Sequence, residues 1–135
     1  MSSSVPADFS LHTRSSAVTR PWEPIYFAQD GASIRLGLVI GEAHCNSRGI
    51  LHGGVIATLA DNAMGLTAGL VAGHARQFVT TALSLDYFGV GKIGQWLQIT
   101  PRAVGGGRRS AVIDAIVSAD GVAIARGNAS FRGID

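Results

Sequence analysis

A chain of 135 residues is long enough for one domain with a real core and too short for two. Charged residues make up 15% of it, against roughly 25% in a typical soluble domain, so part of its surface is expected to be covered by other subunits. A net charge of +2 gives no footprint for nucleic acid, and Cys45, the only cysteine, leaves no internal disulfide and fits a reducing, cytoplasmic compartment.

Residues 1–20 are rich in serine without a sustained period and are expected to form a mobile tail or a short loose helix. They lack the apolar run of a secretory signal. Pro21-Trp22-Glu23-Pro24 is a rigid start to the domain, expected over 21–135. Ile25 to Ala28 reads as a short strand or a turn of helix, and Asp30-Gly31 as a hairpin turn. Ser33 to Ile40 alternates, with Ile34, Leu36, Leu38 and Ile40 on one face. Gly41 to Leu51 is a loop.

The only long helical pattern runs from about Gly54 to Ala72. Val55, Leu59, Leu66 and Leu70 fall on one side. Gly54, Ala57, Thr58, Asp61, Gly65, Ala68 and Ala72 fall on the other. Both faces are expected to be buried, the apolar one on a sheet and the small one on a second copy of the helix. Asp61, Asn62 and several glycines interrupt the apolar run, which argues for a protein interior and against a membrane span. Gly73 is placed to end the helix in a left-handed cap, with His74 at the surface beyond it.

Gln77 to Phe88 alternates again. Val79, Thr81, Leu83, Leu85 and Tyr87 share one face; Phe78, Thr80, Ala82, Ser84, Asp86 and Phe88 share the other. Gln95 to Val104 is the next strand, with Pro101 marking an edge or a bulge. Gly105-Gly106-Gly107 reads as a flexible connection. Ser110 to Ala119 and Val122 to Phe131 are strands joined by Asp120-Gly121, the strongest short hairpin signal in the chain. A lone apolar helix followed by a strand meander predicts an α+β fold, an antiparallel sheet wrapped around the helix.

Two features carry chemistry. Asp61 sits in mid-helix, where Ala57, Thr58, Met64 and Gly65 hold the i±3 and i±4 positions and none can pair with it. Such a carboxylate is either exposed or functional, and the small residues around it favour function. Before the helix, the loop from Asn46 to Gly53 delivers backbone N–H groups to a helix start, where they have no intrahelical acceptor and suit a developing oxyanion. The same glycine pair also serves as a plain tight turn. His44, Cys45 and His52 match no zinc spacing, so no metal is expected and Cys45 reads as a small buried thiol.

Asn46, His52-Gly53-Gly54 and Asp61, in the pattern N-x5-H-G-G-x6-D, resemble the hotdog-fold acyl-CoA thioesterases. The branch is the phenylacetate-pathway type, related to one class of 4-hydroxybenzoyl-CoA thioesterases. The resemblance runs from about Ile34 to the C-terminus, and outside the motif it is a pattern of strands only. It implies a hotdog fold and hydrolysis of an aromatic or medium-chain acyl-CoA. Gly53 N–H is then the oxyanion donor, Asp61 the general base or nucleophile, and Asn46 a polar orienter. Asp61 and the Asn46–Gly53 loop come from two different subunits, so the least active unit is a homodimer, with a tetramer expected.

The resemblance also implies a Ser or Thr at the start of the strand after the helix, holding the attacking water. Thr80 takes that place, with Thr81 as fallback. His52 shapes the loop. CoA enters as part of the substrate, with no resident cofactor. Gly107-Arg108-Arg109 suits the CoA phosphates, although a solvated turn explains it as well; Arg76 and Lys92 are weaker choices. The turn from Tyr87 to Lys92 departs from the family in lacking a proline. Two other activities share these features: a non-catalytic acyl-CoA binding module, which has no need of Asp61, and a hotdog hydratase or dehydratase, for which His52 and Asp61 stand as the histidine–acid pair.

Overall fold

The computed structural model describes residues 4–73 and 77–134, so His74 and Arg76 lie outside it. The long apolar pattern is a helix, α1 (Gly53–Ala72), ended by Gly73 at φ 33°. Seven antiparallel strands surround it in the chain: β1 (Ser10–Leu11), β2 (Tyr26–Asp30), β3 (Ser33–Val39), then, after α1, β4 (Gln77–Tyr87), β5 (Trp96–Gly107), β6 (Ser110–Ala119) and β7 (Val122–Ile134). They form one sheet in the order β1-β2-β3-β5-β6-β7-β4, and α1 packs on β3 through β7.

The expected meander holds only from β5 to β7. β4 does not pair with β5; it lies at the sheet's edge beside β7, and the chain crosses over after Tyr87. The β6–β7 hairpin turns at Asp120 (φ 47°) and Gly121 (φ 80°), the two left-handed residues that a two-residue loop of matching twist requires.

α1 buries a wider and different face than the simple periodicity suggests. Val55, Ile56, Leu59, Ala60, Ala63, Met64, Thr67 and Ala68 are buried, whereas Leu66 is half-buried and Leu70 exposed. Ala60, Ala63 and Ala68 bring the helix close to the sheet, where it meets Leu36, Leu38, Leu97, Ile99, Ile113 and Val117. Thr67, fully buried, accepts a hydrogen bond from the Ile34 N–H at 3.0 Å and so ties mid-helix to the start of β3. By length and mean hydropathy (1.4) the helix could cross a bilayer; here it is the core helix of this fold.

Two expectations about irregular segments need correcting. Part of the N-terminal stretch packs on the sheet: Ser10–Leu11 adds β1 to the edge of β2, and buried Phe9 meets Trp96 edge-on at 5.0 Å, while most of the other described residues before Arg20 are exposed. Arg35 stacks over Phe9 and pairs with Asp8 at 2.7 Å, and that hydrogen bond holds the Asp8 carboxyl below its usual range. The serine-rich composition hid one aromatic anchor. Likewise Gly105, Gly106 and Gly107 are paired β-strand, opposite Val112, Ala111 and Ser110, with a bulge between Ala103 and Gly105. Gly106 has φ 135°, and a Cβ there would run into the Ser110 backbone, so glycine is required by close approach.

Candidate active site

The loop before α1 is built on His44. Its buried ring accepts the Gly41 N–H at Nδ1 (2.9 Å), which leaves Nε2–H to donate to the Trp22 carbonyl (2.9 Å). The His44 carbonyl in turn accepts the His52 N–H at 2.9 Å. Between them, Asn46 Oδ1 accepts the backbone N–H groups of Arg48 (2.9 Å) and Ile50 (3.2 Å) and folds the loop back on itself. Its amide nitrogen, a donor, makes no hydrogen bond among the described residues.

His52 is the helix N-cap. Its Nδ1 accepts the Gly54 N–H at 2.8 Å, while Val55 and Ile56 donate to its carbonyl. Among the described residues the Gly53 N–H is left without an acceptor, at the positive end of the helix dipole. The structure therefore groups Asn46, His52 and Gly53 at one end of α1.

Asp61 and Thr80 form a second group, two turns along the helix. The Thr80 hydroxyl donates to Asp61 Oδ1 at 2.7 Å; Oδ2 has no partner among the described residues. Asp61 is half-buried on an open face, with Ala57, Thr58 and Gly65 half-buried beside it. Thr81, the fallback, instead donates to the Ser130 carbonyl at 3.1 Å.

A β-bulge between Thr80 and Ala82 sets which β4 side chains reach this face. Thr80 pairs with buried Phe131, and after the bulge Leu83, Leu85 and Tyr87 pair with Ala129, Gly127 and Ala125, all on the helix side of β7. Strict alternation puts Thr80 and Tyr87 on opposite faces; the extra residue puts them on the same one. Tyr87, which sequence reasoning did not single out for the site, lies on this face. Its hydroxyl donates to the Gly53 carbonyl at 2.7 Å. Burial pushes its pKa up, so it stays a donor through neutral and mildly alkaline pH. A run of alternating residues gives no signal for a bulge, and so none for this contact.

Gly107, Arg108 and Arg109 stand apart from both groups. They close the β5–β6 hairpin, where a groove is lined by Ala72 at the far end of α1 and by Gly105, Gly106 and Gly107. Arg132, which the sequence did not single out, shares a neighbouring hollow with Arg109. Lys92 lies on the opposite side of the fold, bridged to Ile50. Burial, and then Glu42, raise the Cys45 thiol above its usual range; it donates to the Gly41 carbonyl at 3.3 Å as a neutral group.

Residues 48–124 match the family model described as the thioesterase superfamily. A candidate esterase of Pseudomonas aeruginosa is 35% identical over 112 residues, which cover 82% of this chain and 84% of the relative. Among solved structures, a Streptococcus mutans protein bound to acetyl CoA superposes with a TM-score of 0.77 at 25% identity, covering 92% of this chain and 95% of the other. The Escherichia coli PaaI protein, from the phenylacetic acid degradation operon, has a TM-score of 0.74 at 19% identity, a likeness of fold over 82% of this chain and 80% of that one.

Proposed function

The chain belongs to the thioesterase superfamily and is a thioester hydrolase of hotdog fold, and from there we propose that it cleaves an aromatic or medium-chain acyl-CoA at a site shared by two copies of the chain. One observation carries the sharing. Gly53 N–H and Asp61 Oδ2 have no hydrogen-bond partner among the described residues, yet they lie on one helix, about 12 Å apart at 1.5 Å rise per residue. A single carbonyl group needs its oxyanion donor and its attacking group each within about 3 Å. Neither copy alone meets that requirement. Two copies do, if Asp61 of one faces Gly53 of the other.

In this reading Thr80 holds one Asp61 oxygen, which leaves the other to attack the thioester carbon or to take a proton from water. The negative charge gathering on the carbonyl oxygen meets the partner's Gly53 N–H. The free Asn46 amide orients the thioester or the water, and His52 maintains the helix start. The sulfur–carbon bond breaks and the acyl group leaves as the free acid, its new oxygen coming from water that attacks either directly or on the mixed anhydride that attack by Asp61 forms. The proton of that water, passed through Asp61 when it acts as base, ends on the CoA sulfur. Arg108 and Arg109, joined by Arg132, suit the CoA phosphates through bidentate hydrogen bonds. A lone cysteine kept as a neutral thiol fits the cytoplasm.

The test is thiol release from a panel of benzoyl-, phenylacetyl- and straight-chain acyl-CoAs, with Asp61→Ala alongside. Wild type should turn over at least one class, and Asp61→Ala should lose about a hundredfold or more in kcat. Full activity in Asp61→Ala would sink this mechanism. Tight binding of every ligand without thiol release would point to a binding module instead, and loss of an enoyl-CoA double bond to a hydratase.

A further inference from the structure

We propose that Tyr87 is a positioning residue for the oxyanion donor, acting through the one peptide that joins Gly53 to Gly54. This rests on Gly53 having the role given above. The carbonyl of Gly53 and the N–H of Gly54 belong to the same planar unit. The Tyr87 hydroxyl donates to the first at 2.7 Å, and His52 Nδ1 accepts the second at 2.8 Å. That peptide is therefore held at both polar atoms, by the edge strand on one side and the N-cap on the other. The preceding peptide, which carries the Gly53 N–H, is held through its own carbonyl by Val55 and Ile56.

A Gly-Gly pair is the most permissive start a helix can have. Without an outside hold, its amides would sample many directions. Tyr87 supplies the hold with its ring as well as its hydroxyl: a Cβ on Gly53 would lie only 3.4 Å from the ring carbons. The hydroxyl remains a donor over the working pH range because burial raises its pKa. The bulge in β4 is what makes this reach possible, since it brings Tyr87 to the face on which Thr80 already holds Asp61. One strand thus steadies both groups, Asp61 through Thr80 and Gly53 through Tyr87.

The experiment compares Tyr87→Phe with wild type on the full-length protein, using a series of para-substituted benzoyl-CoAs, with Asp61→Ala as a separate arm. Tyr87→Phe should lower kcat about five- to tenfold, the effect of one lost positioning hydrogen bond, while KM changes less than about twofold. Its rate should depend more steeply on electron-withdrawing substituents, because the substrate must then carry more of the charge itself. Melting temperature and oligomeric state should stay as in wild type. In combination with Gly53→Ala the loss should be less than the product of the two single losses, since both act at Gly53, where an added Cβ meets the Tyr87 ring at 3.4 Å. Wild-type kcat in Tyr87→Phe, with Asp61→Ala inactive, overturns the role of Tyr87 and leaves the hydrolase intact. A slower rate that merely tracks a lower melting temperature, with the substituent dependence unchanged, overturns it too. Activity retained in Asp61→Ala is a different failure, that of the hydrolase mechanism.

Discussion

In the proposed site Asn46 has two jobs that can be separated chemically. Its oxygen folds the loop by accepting from Arg48 and Ile50, and its amide nitrogen has no acceptor among the described residues. Asn46→Asp keeps the acceptor and removes the donors. We expect its melting temperature to stay close to wild type while kcat falls roughly a hundredfold, as for removal of a polar donor from an acyl-transfer site. A calorimetric scan beside a thiol-release assay checks both halves; Asn46→Ala should lose in both. Thr80 divides in a similar way. Thr80→Val removes the bond to Asp61 at nearly constant volume and should cost about tenfold in kcat, whereas Thr80→Ser should retain most of the rate. Asn46, His52, Gly53 and Asp61 could be singled out from the sequence because a motif fixes them within sixteen residues of chain, and Thr80 by its place after the helix; the structure adds the hydrogen bond from Thr80 to Asp61. Tyr87 and Arg132 come together with their groups only through strand pairing, and no local spacing announces that.

The strands were readable where backbone chemistry dictates them and misread where packing does. Asp120-Gly121 encodes a hairpin because both positions need positive φ. Pro101 lies just beyond the part of β5 that pairs with β3, and a bulge follows it, in line with its missing N–H. The glycine run looked flexible because composition does not reveal that the opposite strand leaves no room for a Cβ at Gly106. The bulge in β4 was invisible, since Thr80-Thr81 carries no bulge signature and the sheet imposes the irregularity. Gly37 tests packing at this level. It sits under the Trp96 indole, and a Cβ there would also lie 2.7 Å from the Leu97 carbonyl oxygen. Gly37→Ala should therefore destabilise the fold by about 1–3 kcal/mol through overpacking. Denaturant melts would read this as a lower midpoint with an unchanged slope; no shift would mean that Trp96 moves aside freely.

A single chain leaves β4 uncovered. Nine of its eleven residues are exposed, with Val79, Leu83 and Tyr87 among them, and among the described residues its outer edge has no strand beside it. A long apolar edge of this kind invites pairing with another chain unless it is protected. The sparse charge of the sequence points the same way. If the second copy brings its Gly53 to Asp61, two-fold symmetry makes the contact reciprocal, and the axis passes near the midpoint of the two residues on α1. That midpoint is Ala57, half-buried on the open face, with Gly54 and Thr58 beside it. A side chain much larger than alanine at position 57 would hold the two helices apart without touching the core behind them. Ala57→Trp should therefore give a folded protein that sediments as a monomer, or as a much weaker dimer, and that releases no thiol at concentrations where wild type is active. Raising its concentration should restore part of the activity in step with the dimer fraction. A monomeric Ala57→Trp with full activity would show that one chain completes the site by itself, and a fully active dimer would place the two-fold axis elsewhere on the molecule.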